Sequence, residues 1–289
     1  MARVAAQISN FTAGELSPRL DGRNDLAKYS AGCATVENMV IYPHGAAARR
    51  PGTQYVAEVK SSAAKTRLIP FEFSTTQTYI LELGNEYIRF YRDNGQILSS
   101  GSPYEISSPY LTAELFDIKF AQSADVMYIT HPSHKTRKLS RTGHTSWTLT
   151  EVDFTNGPYL DTNTSTTTIT ASAQTVGTGR TFTASANTFA STDVGRLVRF
   201  RDGYAKITAY TSATVVTVEI LKDTGATTAS TDWSLGAFSE TTGHPSCVSF
   251  FEQRLVFAAT LNNPQTVYFS RSGDYENMDA NIGGTVADD

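Results

Sequence analysis

The chain predicts an all-β fold: a partial β-propeller of four-stranded antiparallel blades, with a small β-barrel or sandwich inserted between them. Three observations predict it. Thr, Ser, Tyr, Phe and Val recur in short runs with period-two alternation, which puts successive side chains on opposite faces of a strand. Turn signals separate these runs at close intervals. The same hairpin layout also returns along the chain at a spacing that suits a repeated sheet.

Residues 1–60 read as an N-terminal arm leading into the first blade, and helical periodicity appears only in a short stretch near Ala27 to Val36. Residues 61–158 read as blades. Tyr79-Ile80-Leu81-Glu82-Leu83-Gly84 and Tyr87-Ile88-Arg89-Phe90-Tyr91-Arg92 flank a short polar turn. Asp93-Asn94-Gly95 follows, its Asn-Gly pair suited to the positive φ of a tight hairpin. Val126-Met127-Tyr128-Ile129-Thr130, the turn His131-Pro132-Ser133-His134, and Arg137-Lys138-Leu139-Ser140-Arg141 then lead to Trp147-Thr148-Leu149. The layout returns in Arg254-Leu255-Val256-Phe257-Ala258-Ala259-Thr260, the turn Asn262-Asn263-Pro264 and Val267-Tyr268-Phe269-Ser270.

Phe73 precedes Tyr79, and Phe120 precedes Val126, by the same interval, which offsets the first two units by 47 residues. Propeller blades of four strands repeat at about 40 to 50 residues. The third copy, at Phe250, lies 130 residues beyond Phe120. Removing one further blade leaves roughly 80 residues for an inserted domain, assigned to 159–238. Composition shifts there: Asp161 to Thr192 is dominated by Thr, Ser, Ala, Gly and Asn. The alternation at Thr166-Thr167-Thr168-Ile169-Thr170 marks this as edge strand rather than linker. Arg196–Arg201, the turn Asp202-Gly203 and Tyr204–Thr208 form a hairpin, and Val215–Leu221 a further strand. Residues 239–289 read as another blade that continues beyond Asp289, because three recognisable blades cannot close a propeller of at least about four.

At 289 residues and 40% hydrophobic composition, the chain can bury a large core without staples. Cys33 and Cys247 match no metal or redox spacing and read as reduced, mostly buried thiols, as expected for synthesis in a reducing cytoplasm. No stretch approaches the roughly 20 apolar residues of a membrane span. A net charge of −4 argues against a dedicated duplex-DNA binder, which needs clustered Lys and Arg, but allows transient contact with DNA sliding past.

Catalytic constellations are missing: there is no phosphate-binding loop, paired-His zinc helix or serine elbow, so no enzyme activity and no cofactor are expected. His131 and His134, with His144 behind them, are the best metal candidates. Without a carboxylate or Cys at useful spacing they read as a surface hairpin, and no metal is expected. Ser140-Arg141-Thr142-Gly143-His144-Thr145-Ser146-Trp147 is similar to the Ser-Xaa-Asp-Xaa-Gly-Xaa-Thr-Trp box of sialidase blades but lacks its Asp. Even an intact box braces a turn rather than catalysing.

Residues 10–52 carry the most information about function. Asn10-Phe11-Thr12-Ala13-Gly14-Glu15-Leu16-Ser17-Pro18, Asp21-Gly22-Arg23-Asn24-Asp25, Asn38-Met39-Val40 and Arg49-Arg50-Pro51-Gly52-Thr53 occur in an order that resembles the N-terminal region of podovirus tail nozzle proteins, also called tail tubular protein B. Phe250-Phe251-Glu252-Gln253-Arg254-Leu255-Val256-Phe257-Ala258 and Val267 to Asn277 supply a second match. The resemblance implies a hexameric ring in the virion tail that continues the DNA channel below the portal and adaptor and anchors tail fibres or a tip.

On that reading Phe11, Gly14, Glu15 and Leu16 form a docking segment, and Arg23, Asp25, Asn38, Arg49, Arg50, Pro51 and Gly52 belong to the ring interface. The plainer alternative is that Pro51 and Gly52 set the backbone while the arginines pair with a nearby Asp. Asp274, Glu276 and Asp279 are candidates for a weakly acidic channel wall. The competing function is a virion-associated propeller protein that binds or hydrolyses host-surface glycan.

Overall fold

The computed structural model describes residues 8–279. Strand accounts for 46% of it and helix for 3%, which makes the fold all-β, as expected. Among the described residues no helix is long and apolar enough to cross a membrane. The chain divides into two compact units, Met1–Tyr55 and Val56–Asp289.

The first unit is built from four short strands. β1 (Gly14–Glu15) pairs in parallel with β2 (Gly32–Cys33), and β3 (Met39–Ile41) pairs antiparallel with β4 (Ala47–Arg49). The helical stretch expected near Ala27 to Val36 is reduced to a single 3-10 turn, Tyr29–Ala31. None of its residues is buried, so no packed face holds a helix together there, and Gly32 already runs extended into β2. In this unit Gly45 alone is buried among the described residues.

The second unit begins with a five-stranded sheet. β5 (Arg67–Ser74), β6 (Gln77–Gly84) and β7 (Tyr87–Arg92) form a meander, and β8 (Gly95–Gln96) folds back on β7. The minor hairpin of β9 (Leu98–Ser99) and β10 (Ser102–Pro103) follows, and β11 (Glu105–Ser107) pairs with β7. The tight turn sits one residue before the expected Asn-Gly pair. Tyr91 pairs with Gln96 and Arg92 with Gly95, so Asp93 and Asn94 are the central residues, at φ 51° and 59°. Both residue types tolerate this left-handed region through local polar contacts of their side chains.

A four-stranded meander of β12 (Lys119–Ser123), β13 (Val126–His131), β14 (His134–Gly143) and β15 (Ser146–Glu151) comes next. Its first turn lies 49 positions after that of the preceding meander, from Gln77 to Val126, against the 47 expected. The two-residue difference preserves the alternation of faces.

Then β16 (Ile169–Ala171), β17 (Gly177–Ala184), β18 (Leu197–Phe200), β19 (Gly203–Ser212), β20 (Val215–Lys222) and β21 (Trp233–Leu235) make a curled half-barrel in the order β16-β17-β20-β19-β18-β21. The Thr-rich segment supplies its edge strand β16. This sheet encloses its own cluster, with Phe182, Phe200, Val216, Val218 and Ile220 all buried. The segment leaves and rejoins the chain at one place: Tyr159 bridges Gly236, and the Leu160 N–H donates to Leu235 O at 2.8 Å. A three-stranded meander of β22 (Cys247–Phe251), β23 (Arg254–Ala258) and β24 (Val267–Phe269) completes the described strands.

The second meander is buried on both faces. Met127, Ile129, Leu139 and Trp147 join Phe71, Tyr79, Leu81 and Phe90 of the first meander in one core. From the opposite face of β13, Tyr128 and Val126 pack with Leu255, Phe257 and Tyr268 of the third. Trp147 anchors the first of these cores, stacked on Phe90 at 4.5 Å between ring centroids and edge-on to Phe71 at 4.8 Å. Full burial of one such side chain stabilises by about 1.5–3 kcal/mol. The thiols depart from expectation: Cys33 is half-buried and Cys247 exposed, because Cys247 opens β22 on its outward face.

Candidate functional site

In the first unit the backbone of the docking segment is fixed by turns and short pairings. The Phe11 N–H donates to Gly45 O at 2.9 Å, and Gly14 sits at φ +70°. Glu15 accepts the Val36 N–H at 2.8 Å. Leu16 lies so close over Gly32 that a Cβ there would fall 2.4 Å from Leu16 Cδ1. Asn38 takes φ 56° and its carbonyl accepts the Arg50 N–H at 2.9 Å, which sets the step out of the β3–β4 hairpin.

The arginines divide into two kinds. Arg23 grips Asp25 through Nε and Nη2, one edge of its guanidinium, at 2.7 and 2.6 Å on an exposed turn. That hydrogen bond raises the Arg23 pKa and lowers that of Asp25. Arg49 and Arg50 are exposed, and no carboxylate pairs with either among the described residues. Pro51 and Gly52 beside them are exposed as well, and Tyr55 is 78% exposed.

The three acidic candidates near the end of the described chain differ in burial and pairing. Glu276 is half-buried and neutralised by Lys138 at 2.5 Å, with the Tyr128 hydroxyl donating to the same oxygen at 3.3 Å. Its carbonyl also accepts the Thr155 N–H. Asp279 lies 3.9 Å from Arg271, and only Asp274 is exposed.

The β13–β14 turn gathers side chains that the sequence kept apart. His131 and His134 pair directly across a two-residue loop, with ring centroids 5.1 Å apart. Glu114 arrives from the connection between the first two meanders, and its Oε2 lies 2.9 Å from His134 Nε2. One ligand atom from each of the three lies within 4.8 Å of the others. Burial lowers the His131 pKa against the opposing charge of Glu114. Burial raises that of Glu114, but the Leu111 N–H and His134 outweigh it and leave the carboxyl below its usual range.

A cleft of about 320 Å³ lies below this turn, lined by Lys135, Glu151, Asp153, Phe154, Arg196, Lys206, Phe238, Glu240 and His244. Its charges are paired: Lys135 with Glu151, Lys206 with Asp153, and His244 with Glu240. Arg196 is buried, donating to Gly236 O at 2.7 Å and Asp193 Oδ1 at 2.8 Å. Its remaining nitrogen, Nη2, is buried with no hydrogen-bond partner among the described residues.

No protein-family model matches the chain, and no curated protein is significantly similar to it.

Two of these groupings were out of reach of sequence spacing. Glu114 precedes His131 in a separate connection, and only the pairing of β12 with β13 and of β13 with β14 brings its carboxyl to the imidazoles. The cleft draws on residues from Lys135 to His244. His144, grouped with His131 and His134 by sequence, belongs elsewhere: its Nδ1 lies 2.6 Å from the Tyr79 hydroxyl, and Arg92 donates to its ring.

Proposed function

We propose that the chain is a structural subunit of a short-tailed bacteriophage tail, a ring-forming nozzle that continues the DNA ejection channel below the portal and adaptor. The observation that carries this reading is the first unit, whose described residues adopt four defined strands yet bury a single residue, Gly45. A segment of about 50 residues without a core does not hold such a backbone by itself and needs a partner surface. Met39, Val40, Tyr42 and Tyr55 offer exposed apolar area, and Arg49 and Arg50 offer guanidinium forks, unpaired among the described residues, that suit a neighbour's carboxylates. The partner proposed is the next copy of this chain in a hexamer. Adaptor proteins would lie above, fibres or a tip below, and contact with passing DNA would be transient.

Three meanders whose middle member is buried on both faces also suit consecutive blades of a propeller, with the half-barrel as an insertion. Imaging of particles containing this chain tests the proposal. A ring coaxial with the portal is the expected result, and its absence there overturns it.

The competing reading is a tail protein that binds or cleaves host glycan. The cleft favours it, since Phe154 and Phe238 supply apolar faces and Glu151, Asp153 and Glu240 supply carboxylates. Hydrolysis of host-surface polysaccharide by the purified chain, abolished by Glu151→Gln or Glu240→Gln, would establish this reading instead.

A further inference from the structure

The geometry points to a divalent transition-metal site formed by Glu114, His131 and His134. The two histidines are in register across the β13–β14 hairpin, so their side chains leave the same face of the sheet at the same end. Glu114 is placed independently. The Glu114 N–H closes a turn onto Leu111 O at 2.9 Å, and the Leu111 N–H holds Oε2 at 2.8 Å. Its second oxygen, Oε1, accepts no hydrogen bond among the described residues.

Two imidazoles and one carboxylate form a donor set that takes Zn²⁺, Co²⁺ or Ni²⁺ and leaves a further coordination position open. His131 is buried, whereas His134 and Glu114 are partly exposed, so an ion has one fixed ligand, two adjustable ones and a path from solvent. Bonds of about 2.0–2.2 Å draw tetrahedral ligand atoms to roughly 3.3–3.6 Å apart. The ligand atoms already lie within 4.8 Å of one another, so rotation of the two partly exposed side chains is enough to reach that spacing.

The surroundings suit the ion. The Tyr110 ring stands edge-on to His134 at 5.3 Å and walls one side. Its hydroxyl is buried without a hydrogen-bond partner among the described residues. The Ser133 N–H donates to His131 Nδ1 at 3.2 Å, and occupancy gives up that contact: either Nδ1 coordinates, or it receives the proton displaced from Nε2. At His134 the metal replaces the proton shared with Glu114, which passes to Nδ1, or to solvent if the ring is doubly protonated. An ion here would clamp the connection after the first meander to the β13–β14 hairpin of the second, and would thereby raise stability by mass action.

Titration of the full chain, without an affinity tag, with Co²⁺ tests the site. One equivalent should bind with visible d–d absorption, Zn²⁺ should displace it, and Zn²⁺ should raise the melting temperature. His134→Gln and Glu114→Gln should each weaken binding by at least about tenfold and abolish the thermal shift. Imidazole NMR signals of His131 and His134 in the unaltered chain give a readout that does not depend on variants folding. Zn²⁺ should shift these two and leave His144 in place. Unperturbed His131 and His134 signals at saturating Zn²⁺, or Co²⁺ spectra unchanged in folded variants, overturn the assignment.

Discussion

The Tyr87 hydroxyl donates to Glu82 Oε1 at 2.5 Å across the β6–β7 turn, although Glu82 is wholly buried. Tyr91 donates to the other carboxyl oxygen, and Gly84 makes room, since a Cβ there would meet the Tyr87 ring at 2.2 Å. Burial, then the hydrogen bond and charge of Glu82, pushes both phenols well above their ordinary pKa. Removing this donor leaves the buried Oε1 with only the long contact from the Lys60 N–H at 3.4 Å, so Tyr87→Phe should cost about 1–3 kcal/mol by urea denaturation. A double-mutant cycle with Tyr91→Phe should show coupling, because both hydroxyls serve one carboxyl.

The buried Arg196–Asp193 pair, 2.8 Å apart, gives a second stability test. Asp193→Ala leaves the guanidinium buried without its counter-charge and also removes the acceptor for the Ala190 N–H. The expected loss is about 3–5 kcal/mol, while replacing both partners with apolar residues of similar volume should cost less.

Arg49→Ala with Arg50→Ala should leave the melting temperature within about 1–2 °C of the unaltered chain, since both side chains are exposed and lack ion-pair partners among the described residues. Self-association, followed by sedimentation, should weaken by about tenfold or more if these forks meet a neighbour's carboxylates. Unchanged assembly would remove both residues from the interface.

Deletion of residues 161–234, with Leu160 joined to Leu235 by a short Gly/Ser turn, should preserve one cooperative unfolding transition. Leu160 and Leu235 are already hydrogen-bonded neighbours, and the deleted strands have a core of their own. Leu160, Ala237 and Phe238 must stay, because they pack with the third meander. Loss of cooperativity would show that the half-barrel supports the meanders.

Acid should destabilise the protein in two steps. Burial lowers the pKa of His131 and His244 below the ordinary imidazole value of 6.5, so the unfolded chain takes up protons first as pH falls through 6.5. Stability is therefore full above that pH and declines below it, levelling off beneath the depressed folded values. Glu105, held by Lys60 and Arg89, and Glu114 are lowered from 4.5, and their contribution is lost as pH falls below that value through the folded pKa. Calorimetry across this range should show both limbs, and His244→Gln should flatten only the first.

Strand positions were legible where period-two alternation reports directly on faces, as in Val215–Lys222 and Arg254–Ala258. The type of local turn was less so: Asp93-Asn94, rather than Asn94-Gly95, occupies the hairpin, because register with Gln96 decides between adjacent candidates. The candidate metal cluster was half visible. The histidine pair is a local signal, but Glu114 reaches it through a connection whose path no spacing rule encodes. The split among the arginines was also hidden, since a side chain's partner depends on which turn returns to it.

The double burial of β13 constrains how related chains can vary. Met127 and Tyr128 are adjacent in sequence yet answer to different neighbours, Met127 to Leu139 and Trp147, Tyr128 to Phe250 at 6.1 Å between rings. A volume change at 127 must be matched on the side of the first meander, and one at 128 on the side of the third. Two consecutive positions should therefore covary with two separate sets of residues, and hardly with each other.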